Sequence, residues 1–360
     1  MGLNCLGNII KLTTFGESHG KAIGGVIDGL PAKMEVDFDL INAEIERRKG
    51  GKYFFETQRK EKEAVEFISG ICNGLTLGTP VAFIVRNVDT ASKDYENLAN
   101  IYRPSHADFS WQMKYGIRDY RGGGRASARE TLTWVIAGAF AKMVLKNYKI
   151  NITAFVSQIG EVSLGKTYAE FNLSKIISSP LYCPDKIAEK EMLALLKKIA
   201  KEGDSVGGII TCVVKNCPVG LGEPVFGKLQ AQLAAAMLSI NAVKGFEYGS
   251  GFKASAMKGS KHNDEFINKN GRIGTATNNS GGIQGGISNG EDIYFSVAFK
   301  PVASITKNQD TVDIKGKSAH IAIKGRHDVC PVPRAVPVVE ALTALVIADN
   351  VMMSGIYRQI

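Results

Sequence analysis

The chain has 360 residues, of which 44% are hydrophobic and 22% are charged, and these values exclude wholesale disorder. Lys and Arg number 44 against 35 Asp and Glu, and the net charge of +9 favours anionic partners: nucleic acid, acidic membranes or anionic metabolites. Neither a signal peptide nor a run of about eighteen uninterrupted apolar residues is present, so no membrane-spanning helix is expected. The six cysteines lack zinc-ligand spacing and indicate buried thiols in a reducing cytoplasm.

The spacing of apolar residues predicts helices where they recur every three or four positions and strands where they form short β-rich runs. In chain order, the predicted elements are strand 22–28, helix 39–49, strands 63–70 and 79–86, helix 128–147, strand 152–159, helix 188–202, strand 208–215, helix 225–240, strands 292–299 and 319–324, and helix 337–353. Ser127 and Glu130 predict a capping box, and Pro224 and Pro337 are expected to open the last two helices.

The strands come in groups rather than in strict alternation with helices. This order favours an α+β sandwich over a doubly wound parallel sheet. No linker divides the chain, so residues 1–360 are expected to form a single domain. The segment Ile23–Val26 is echoed by Val206–Ile209, which suggests an internal duplication.

Three of the five histidines lie in turns rich in glycine, arginine or acidic residues: His19 in GESHG, His106 in RPSHAD and His327 in GRHD. A lone histidine is more often structural than catalytic. In such surroundings, however, its ordinary pKa near neutrality suits general acid–base chemistry. We therefore treat the three as candidate catalytic residues, with a structural role as the alternative.

A second constellation, Arg121–Glu130, brings three consecutive glycines and three arginines to the start of the clearest predicted helix. Free N–H groups and arginines at a helix N-terminus bind anions; the alternative is a capped helix with solvated arginines. The segment is neither a Walker loop nor a dinucleotide fingerprint. Further basic groups recur along the chain and together predict a pocket for a small polyanion: Arg47, Arg48, Lys49, Lys300, Arg326 and Arg334.

Several of these segments resemble chorismate synthases. They are GESHG at 16–20, RPSHAD at 103–108, RGGGRASARET at 121–131, SINAVKGFEYGSGF at 239–252, NNSGGIQGGISNG at 278–290, KPVASI at 300–305 and KGRHDVCPVPRAVPVVEA at 324–341. The matching segments cover nearly the whole chain.

The resemblance implies a lyase that forms chorismate from 5-enolpyruvylshikimate 3-phosphate by 1,4-anti elimination of phosphate, in the shikimate pathway of aromatic amino acid biosynthesis. It implies reduced FMN as cofactor, although the reaction involves no net oxidation. It also implies helices between antiparallel sheets and a homotetramer.

The resemblance further assigns roles by position. His19 is expected to protonate the departing phosphate, His106 to lie beside the reduced flavin, and Asp328 to take part in removing the ring proton. The substrate-binding residues are expected to be Ser18, Arg48, Arg129 and Arg326. The cofactor-binding residues are expected to be Arg48, Arg125, Ala126, Ser127, Asn241, Ala242, Gly285, Lys300, Pro301, Val302, Ala303, Ser304 and Arg326.

Two features depart from the family pattern. Many relatives carry an arginine where this chain reads Gly51–Phe54, so an NADP contact there stays open. The segment before Arg334 is unusually rich in proline, which is expected to stiffen that loop.

Two other functions would also use a basic chain of this kind. A flavin-dependent oxidoreductase could use the same anion pocket, and a basic nucleic-acid-binding protein is disfavoured because no stripe of aromatic and basic residues is present. Because synthase motifs fill the chain, an external flavin reductant is expected.

Overall fold

The computed structural model describes residues 4–57, 63–87, 98–323 and 327–357. Its first antiparallel sheet is built from the N-terminal part of the chain. The strands there are β1 (Cys5–Leu6), β2 (Lys11–Gly16), β3 (Ala22–Asp28), β4 (Val65–Ser69), the short pair β5 (Ile71–Cys72) and β6 (Leu75–Thr76), and β7 (Val81–Arg86). Within the sheet the strand order is β1-β2-β3-β7-β4.

The second antiparallel sheet follows later in the chain. The remaining strands are β8 (Asn151–Ile159), β9 (Val162–Ser163), β10 (Gly208–Lys215), β11 (Val243–Tyr248), β12 (Phe266–Lys269), β13 (Arg272–Thr275), β14 (Ile283–Gln284), β15 (Ile287–Ser288), β16 (Ile293–Phe299), β17 (Gln309–Val312) and β18 (Ser318–Ile321). The sheet order is β11-β16-β10-β8-β9, and β12–β13, β14–β15 and β17–β18 form separate hairpins. Along β16 every second residue is buried, so one face of this sheet faces the core.

The described part of the chain has seven α-helices: α1 (Phe38–Arg48), α2 (Asp108–Tyr115), α3 (Thr131–Lys146), α4 (Lys186–Lys201), α5 (Leu229–Leu238), α6 (Gly259–His262) and α7 (Val332–Tyr357). Helices α3 and α7 lie between the two sheets. Helix α3 packs along α7 and also contacts β2 and β3, while α7 contacts β8 and β10. The molecule is therefore an α+β sandwich with helices between antiparallel sheets, as predicted.

The crossing of α3 and α7 depends on one glycine. A β-carbon at Gly138 would lie 2.4 Å from the Ala341 β-carbon, which is closer than two carbons can approach. The helices approach this closely because both positions carry small residues, and the contact buries the apolar faces of both helices.

Ion pairs in the same layer tie three helices and one strand together. The buried Glu340 carboxylate of α7 accepts hydrogen bonds from Arg47 at 2.7 Å, Lys142 at 2.8 Å and the Ala154 backbone N–H at 3.0 Å. Burial opposes its ionisation, but Lys142 and Arg47 outweigh that effect and lower the pKa of Glu340 to about 2. The network spans α1, α3, α7 and β8.

Helix α7 differs from its prediction. It begins at Val332 rather than at Pro337, which lies inside the helix. Pro331 and Pro333 stand at its start, where a missing N–H costs no helical hydrogen bond, so Arg334 belongs to the first helical turn and not to a loop. Among the described residues, Val332–Gly355 is the one helix long and apolar enough to cross a membrane, but 89% of that window is buried in the protein core.

The other predicted elements lie close to their observed positions. Helix α5 begins at Leu229, so Pro224 does not open it; β2, β11 and α2 lack a clear sequence pattern and were not predicted. The echoed segment Ile23–Val26 lies in β3, the middle strand of the first sheet. Its counterpart Val206–Ile209 leads into β10, the middle strand of the second sheet. The internal duplication stays a prediction.

Candidate active site

The turn after β2 carries His19 into the protein interior. Both Ser18 and His19 are buried, and the Ser18 hydroxyl lies 3.1 Å from His19 Nδ1. The Gly20 N–H donates to the Glu17 carbonyl at 3.0 Å and closes the turn. The ring orientation is therefore fixed by the local chain.

The glycine triplet predicted to bind an anion packs between two histidines. Gly122, Gly123 and Gly124 have φ values of 71°, 121° and 55°, which favour glycine at all three positions. A β-carbon at Gly122 would lie 2.2 Å from His19 Cε1, and one at Gly123 would lie 3.1 Å from His106 Cε1. Because Gly122 and Gly123 have no side chains, the imidazoles of His19 and His106 can both pack against this turn.

His106 is held from its other side by a carboxylate. Its Nδ1 lies 3.0 Å from Asp108 Oδ1, and Arg103 donates to both Asp108 oxygens at 2.7 Å. Arg118 lies 3.1 Å from the same carboxylate. Burial opposes ionisation of Asp108, but the bonds from Arg103 and the proximity of His106 hold its pKa far below its usual range.

Two predicted substrate-binding arginines converge on one buried carboxylate. Glu63 Oε1 accepts from Arg48 Nη1 at 3.1 Å and from Arg129 Nη1 at 2.6 Å. All three side chains are 4–5% exposed. Arg48 stands at the end of α1, and Arg129 lies in the short 3₁₀ helix Ala128–Glu130.

Asn87 connects these arginines to the His19 turn. Its side-chain oxygen accepts from Arg129 Nε at 3.1 Å, while its amide nitrogen donates to the carbonyls of Glu17 and Gly20 at 3.0 and 2.9 Å. Asn87 follows β7 directly. The arginine pair and the histidine turn therefore form one hydrogen-bonded unit.

Asp328 is fixed by a cation and by the backbone. It accepts from Arg334 Nη1 at 2.7 Å and from the Thr57 N–H at 2.8 Å. Arg334 Nε also donates to the Arg48 carbonyl at 3.2 Å, which links Asp328 to the arginine pair. Although burial disfavours the guanidinium charge, Asp328 raises the pKa of Arg334. Arg326, predicted to contact both ligands, lies outside the described residues.

The predicted cofactor positions from distant segments also meet. Asn241 donates to the Ala126 carbonyl at 2.8 Å, and the Lys300 N–H donates to the Ala242 carbonyl at 2.9 Å. Lys300 Nζ lies 3.4 Å from the Ser105 carbonyl, next to His106. Burial and the nearby charge of Lys244 lower the pKa of Lys300. A bound anion beside Lys300 would stabilise its ammonium charge and so oppose both causes.

Strained backbone marks the same region. Ser105 and Ala242 have φ values of 56° and 70°, a conformation that residues other than glycine rarely adopt. Such outliers concentrate at functional sites, where surrounding structure holds them in place. Ala242 is itself an expected cofactor position, and Ser105 lies next to His106.

Arg125 and Ser127 have structural contacts besides their predicted cofactor role. Arg125 forms a two-bond ion pair with Glu130 at 3.1 and 3.2 Å and donates to Thr14 Oγ1 at 2.8 Å. The Ser127 hydroxyl accepts from the Arg129 N–H at 3.3 Å. Ser127 therefore caps the 3₁₀ helix, whereas Glu130 pairs with Arg125 and does not complete the predicted capping box on α3, which begins at Thr131.

The last predicted cofactor positions lie on two segments. Pro301, Val302, Ala303 and Ser304 follow β16, and the Val302 carbonyl accepts from Ser205 Oγ at 2.8 Å. Gly285 lies in the turn between β14 and β15, where the neighbouring Gly286 carbonyl accepts from the Leu229 N–H at the start of α5. The contacts of this turn thus lead to α5 rather than to the histidine turn.

A cavity of about 710 Å³ opens beside the glycine triplet. Its lining includes His106, Trp111, Tyr120, Arg121, Arg125 and Ala126. Its volume lies within the range of small-molecule and cofactor sites, about 300–1,000 Å³. The site therefore combines a cavity with aromatic walls, two histidines and a group of arginines.

Some residues of this site are not singled out by any motif or periodicity in the sequence. Glu63, Asn87 and Asp108 each orient a predicted site residue, but they come from three different parts of the chain. Asp108 could have been noticed because it lies two positions after His106. The roles of Glu63 and Asn87 depend on contacts across 66 and 42 residues, which periodicity cannot predict.

Comparisons with known proteins agree on one family. A sequence model of chorismate synthase matches residues 10–352. A chorismate synthase from Phocaeicola vulgatus is 56% identical over 96% of this chain and 97% of its own length, and one from Christiangramia forsetii is 57% identical over 96% of each. A crystal structure of chorismate synthase superposes with a TM-score of 0.76 at 30% identity, covering 97% of this chain and 93% of that one.

Proposed function

This chain belongs to the chorismate synthase family and is a lyase, and we propose that it converts 5-enolpyruvylshikimate 3-phosphate to chorismate by 1,4-anti elimination of phosphate with reduced FMN. The reaction would be a step of the shikimate pathway, which leads to the aromatic amino acids. The observation that carries the proposal is the convergence of His19, Arg48 and Arg129 through Asn87 and Glu63.

The substrate-facing residues suit a ligand with several negative charges. Arg48 and Arg129 are buried, so their attraction for a phosphate or carboxylate is screened less than at the surface. Ser18 adds a hydroxyl beside His19. We assign Arg48, Arg129 and Ser18 to substrate binding, and by position Arg326 as well.

His19 is the proposed general acid for the departing phosphate. Phosphate leaves more readily once protonated, and a positioned general acid typically contributes about 10²–10⁴-fold in rate. The Ser18 hydroxyl and the Gly122 backbone hold the imidazole ring in place. The nearby guanidiniums would stabilise the negative charge that develops on the phosphate.

Asp328 is the proposed acceptor of the ring proton. Arg334 and the Thr57 N–H orient its carboxylate. A carboxylate in its charged form can accept a proton at one of its oxygens. Asp328, just before α7, would then serve as the base and His19, in the turn after β2, as the acid, with the arginine pair between them.

The cavity beside the glycine triplet fits a flavin. It has aromatic walls for a planar ring. Asn241 donates to the carbonyl of the lining residue Ala126, and its buried Oδ1 has no hydrogen-bond partner among the described residues, which suits a ligand donor. Arg125, Ala126, Ser127, Asn241, Ala242 and the 300–304 segment would hold it, with Arg48 and Gly285 as further expected contacts, and Lys300 would face an anionic group. When bound, reduced FMN supplies electron density to the substrate and recovers it.

His106 is the proposed partner of the flavin. Asp108 Oδ1 lies 3.0 Å from its Nδ1, and the ring edge faces Gly123. The Asp108 carboxylate is itself held by Arg103 and Arg118, which fixes the ring orientation.

Reduction by an external donor, a cytoplasmic location and a homotetramer complete the proposal. The six cysteines form no disulfide among the described residues, which suits a reducing compartment. Phe266 and Ile273 of the β12–β13 hairpin are 69% and 77% exposed, and such apolar side chains would support association with further copies. Light scattering would give the number of subunits.

Anaerobic turnover tests the reaction. The enzyme is mixed with 5-enolpyruvylshikimate 3-phosphate, with and without reduced FMN, and phosphate, chorismate and the flavin spectrum are followed. We expect equal amounts of phosphate and chorismate only with reduced FMN, and the flavin still reduced at the end. Oxidation of one flavin per product would instead indicate an oxidoreductase. Sustained aerobic turnover with oxidised FMN and NADPH alone would contradict external reduction.

A further inference from the structure

Glu63 joins two guanidiniums through a single oxygen atom. Its Oε1 accepts from Arg48 Nη1 at 3.1 Å and from Arg129 Nη1 at 2.6 Å. Its second oxygen, Oε2, is buried and has no hydrogen-bond partner among the described residues. Leaving a buried carboxylate oxygen unpaired is costly, so this arrangement calls for an explanation beyond packing.

The two arginines come from different parts of the fold. Arg48 ends α1 and is also held by Thr131 Oγ1 at 2.9 Å and the Ala128 carbonyl at 2.8 Å. Arg129 precedes α3 and also donates to Asn87 at 3.1 Å. Two buried cations this close repel each other, and a shared anion offsets that repulsion.

We propose that Glu63 is a positioning residue, which sets the relative orientation of Arg48 and Arg129 so that both act on one anionic group of the substrate. This inference rests on the proposed function for the identity of that substrate. Glu63 does not touch the reacting atoms in this account. It acts through the arginines, as a buried carboxylate orients metal ligands or a catalytic histidine elsewhere.

The test compares three variants by anaerobic steady-state kinetics. Glu63→Gln keeps the side-chain shape but removes the charge. Glu63→Asp keeps the charge but shortens the side chain by one methylene, so the carboxylate lies farther from the two arginines. Glu66→Gln is the control, because Glu66 lies three positions away and pairs with exposed Arg86 at 3.3 Å. We expect kcat/KM to fall at least tenfold in Glu63→Gln and about threefold in Glu63→Asp, and to stay unchanged in Glu66→Gln.

A double-mutant cycle separates positioning from general structural support. Glu63 and Arg129 should be coupled, so Glu63→Gln combined with Arg129→Lys should lose far less than the product of the two separate losses. Independent losses that multiply, or a folded Glu63→Gln or Glu63→Asp enzyme within twofold of the wild type, would overturn the inference. If Glu63→Gln does not fold, the cycle is measured with Glu63→Asp.

A crystal structure of the Glu63→Gln enzyme provides a readout that needs no turnover. We expect the Arg48 and Arg129 guanidiniums to move apart while Thr131 and Asn87 keep their own partners. Unchanged guanidiniums would overturn the positioning role even in an active enzyme. Failure of the wild type to form chorismate would instead contradict the proposed function, and the crystal structure would still decide the role of Glu63.

Discussion

Gly122 lies against the imidazole of His19 so closely that a β-carbon on the glycine would stand 2.2 Å from His19 Cε1. Gly116 offers a matched comparison, because its φ of 72° nearly equals the 71° of Gly122 but it has nothing within 4 Å of the same position. Substitutions at these two glycines therefore distinguish the cost of backbone strain, which both share, from displacement of His19, which only Gly122 would cause.

We therefore predict different outcomes for Gly122→Ala and Gly116→Ala. Both should lose stability by about 1 kcal/mol through the left-handed backbone. Only Gly122→Ala should lower kcat, at least tenfold, because the methyl group must displace His19. Thermal melts and anaerobic kinetics measure the two effects, and equal kcat values in the two folded variants would contradict the assigned contact.

Both candidate histidines can be tested by truncation. His19→Ala and His106→Ala should each lower turnover at least ~10-fold, since a positioned acid or base contributes about 10²–10⁴-fold. Circular dichroism should show that the fold persists. His320→Ala is the control, because that side chain is 71% exposed and pairs with exposed Asp310. Unchanged turnover in a folded variant would remove that histidine from the mechanism.

Glu340 should make stability dependent on pH. Its pKa in the folded protein is lowered to about 2, from 4.5 in the absence of partners. Stabilisation by the ionised carboxylate is therefore complete above about pH 4.5 and is lost as the pH falls through the folded pKa. Removing one partner of a buried ion pair typically costs 3–5 kcal/mol, so Glu340→Gln should lose about that much at pH 7.

Urea unfolding at pH 7 and at pH 3 checks this expectation. The difference in unfolding free energy between the wild type and Glu340→Gln should shrink at the lower pH. Glu46→Gln serves as control, because Glu46 is 54% exposed and pairs only with Lys49 in the ion pairs of the described chain. A difference that stays constant with pH would show that lost packing, and not charge, accounts for the effect.

The crossing of α3 and α7 gives a prediction about packing. Gly138→Ala should destabilise the protein by about 1–3 kcal/mol, because the new methyl group would overlap Ala341 and force the helices apart. Gly355→Ala lies in α7 with open space around it and should instead stabilise by up to about 1 kcal/mol. Chemical denaturation of both variants decides whether the close contact or helix propensity dominates.

Local sequence patterns predicted most of the helices and strands, but not every residue at which they begin and end. The strands 22–28 and 208–215 agree with the structure because their apolar runs are bounded by polar residues or turns. The start of α7 was misplaced because Pro337 reads as a helix opener, although tertiary packing keeps it inside the helix. Strand β2 alternates Leu12 and Thr14 toward the core, a weak hydrophobic signal that was missed.

The site was predictable where motifs are dense. GESHG, RPSHAD and the glycine triplet do come together, as the contacts of Gly122 and Gly123 show. The supporting contacts were not predictable, because Glu63 meets its arginines only once α1, β4 and α3 have assembled. Sequence patterns report neighbours along the chain, whereas a contact such as the hydrogen bond from Arg334 Nε to the Arg48 carbonyl depends on the packed fold.

Helix α7 is the last element that the structure describes, yet it lies between the two sheets and carries Arg334, Glu340 and, near its end, Asp349, which accepts hydrogen bonds from the backbone of Asn8, Ile9 and Ile10. A ribosome makes both sheets before it makes this helix. The face of the second sheet that α7 covers at β8 and β10 therefore stays exposed until this helix is made, and the Asn8–Ile10 segment acquires its Asp349 partner only then.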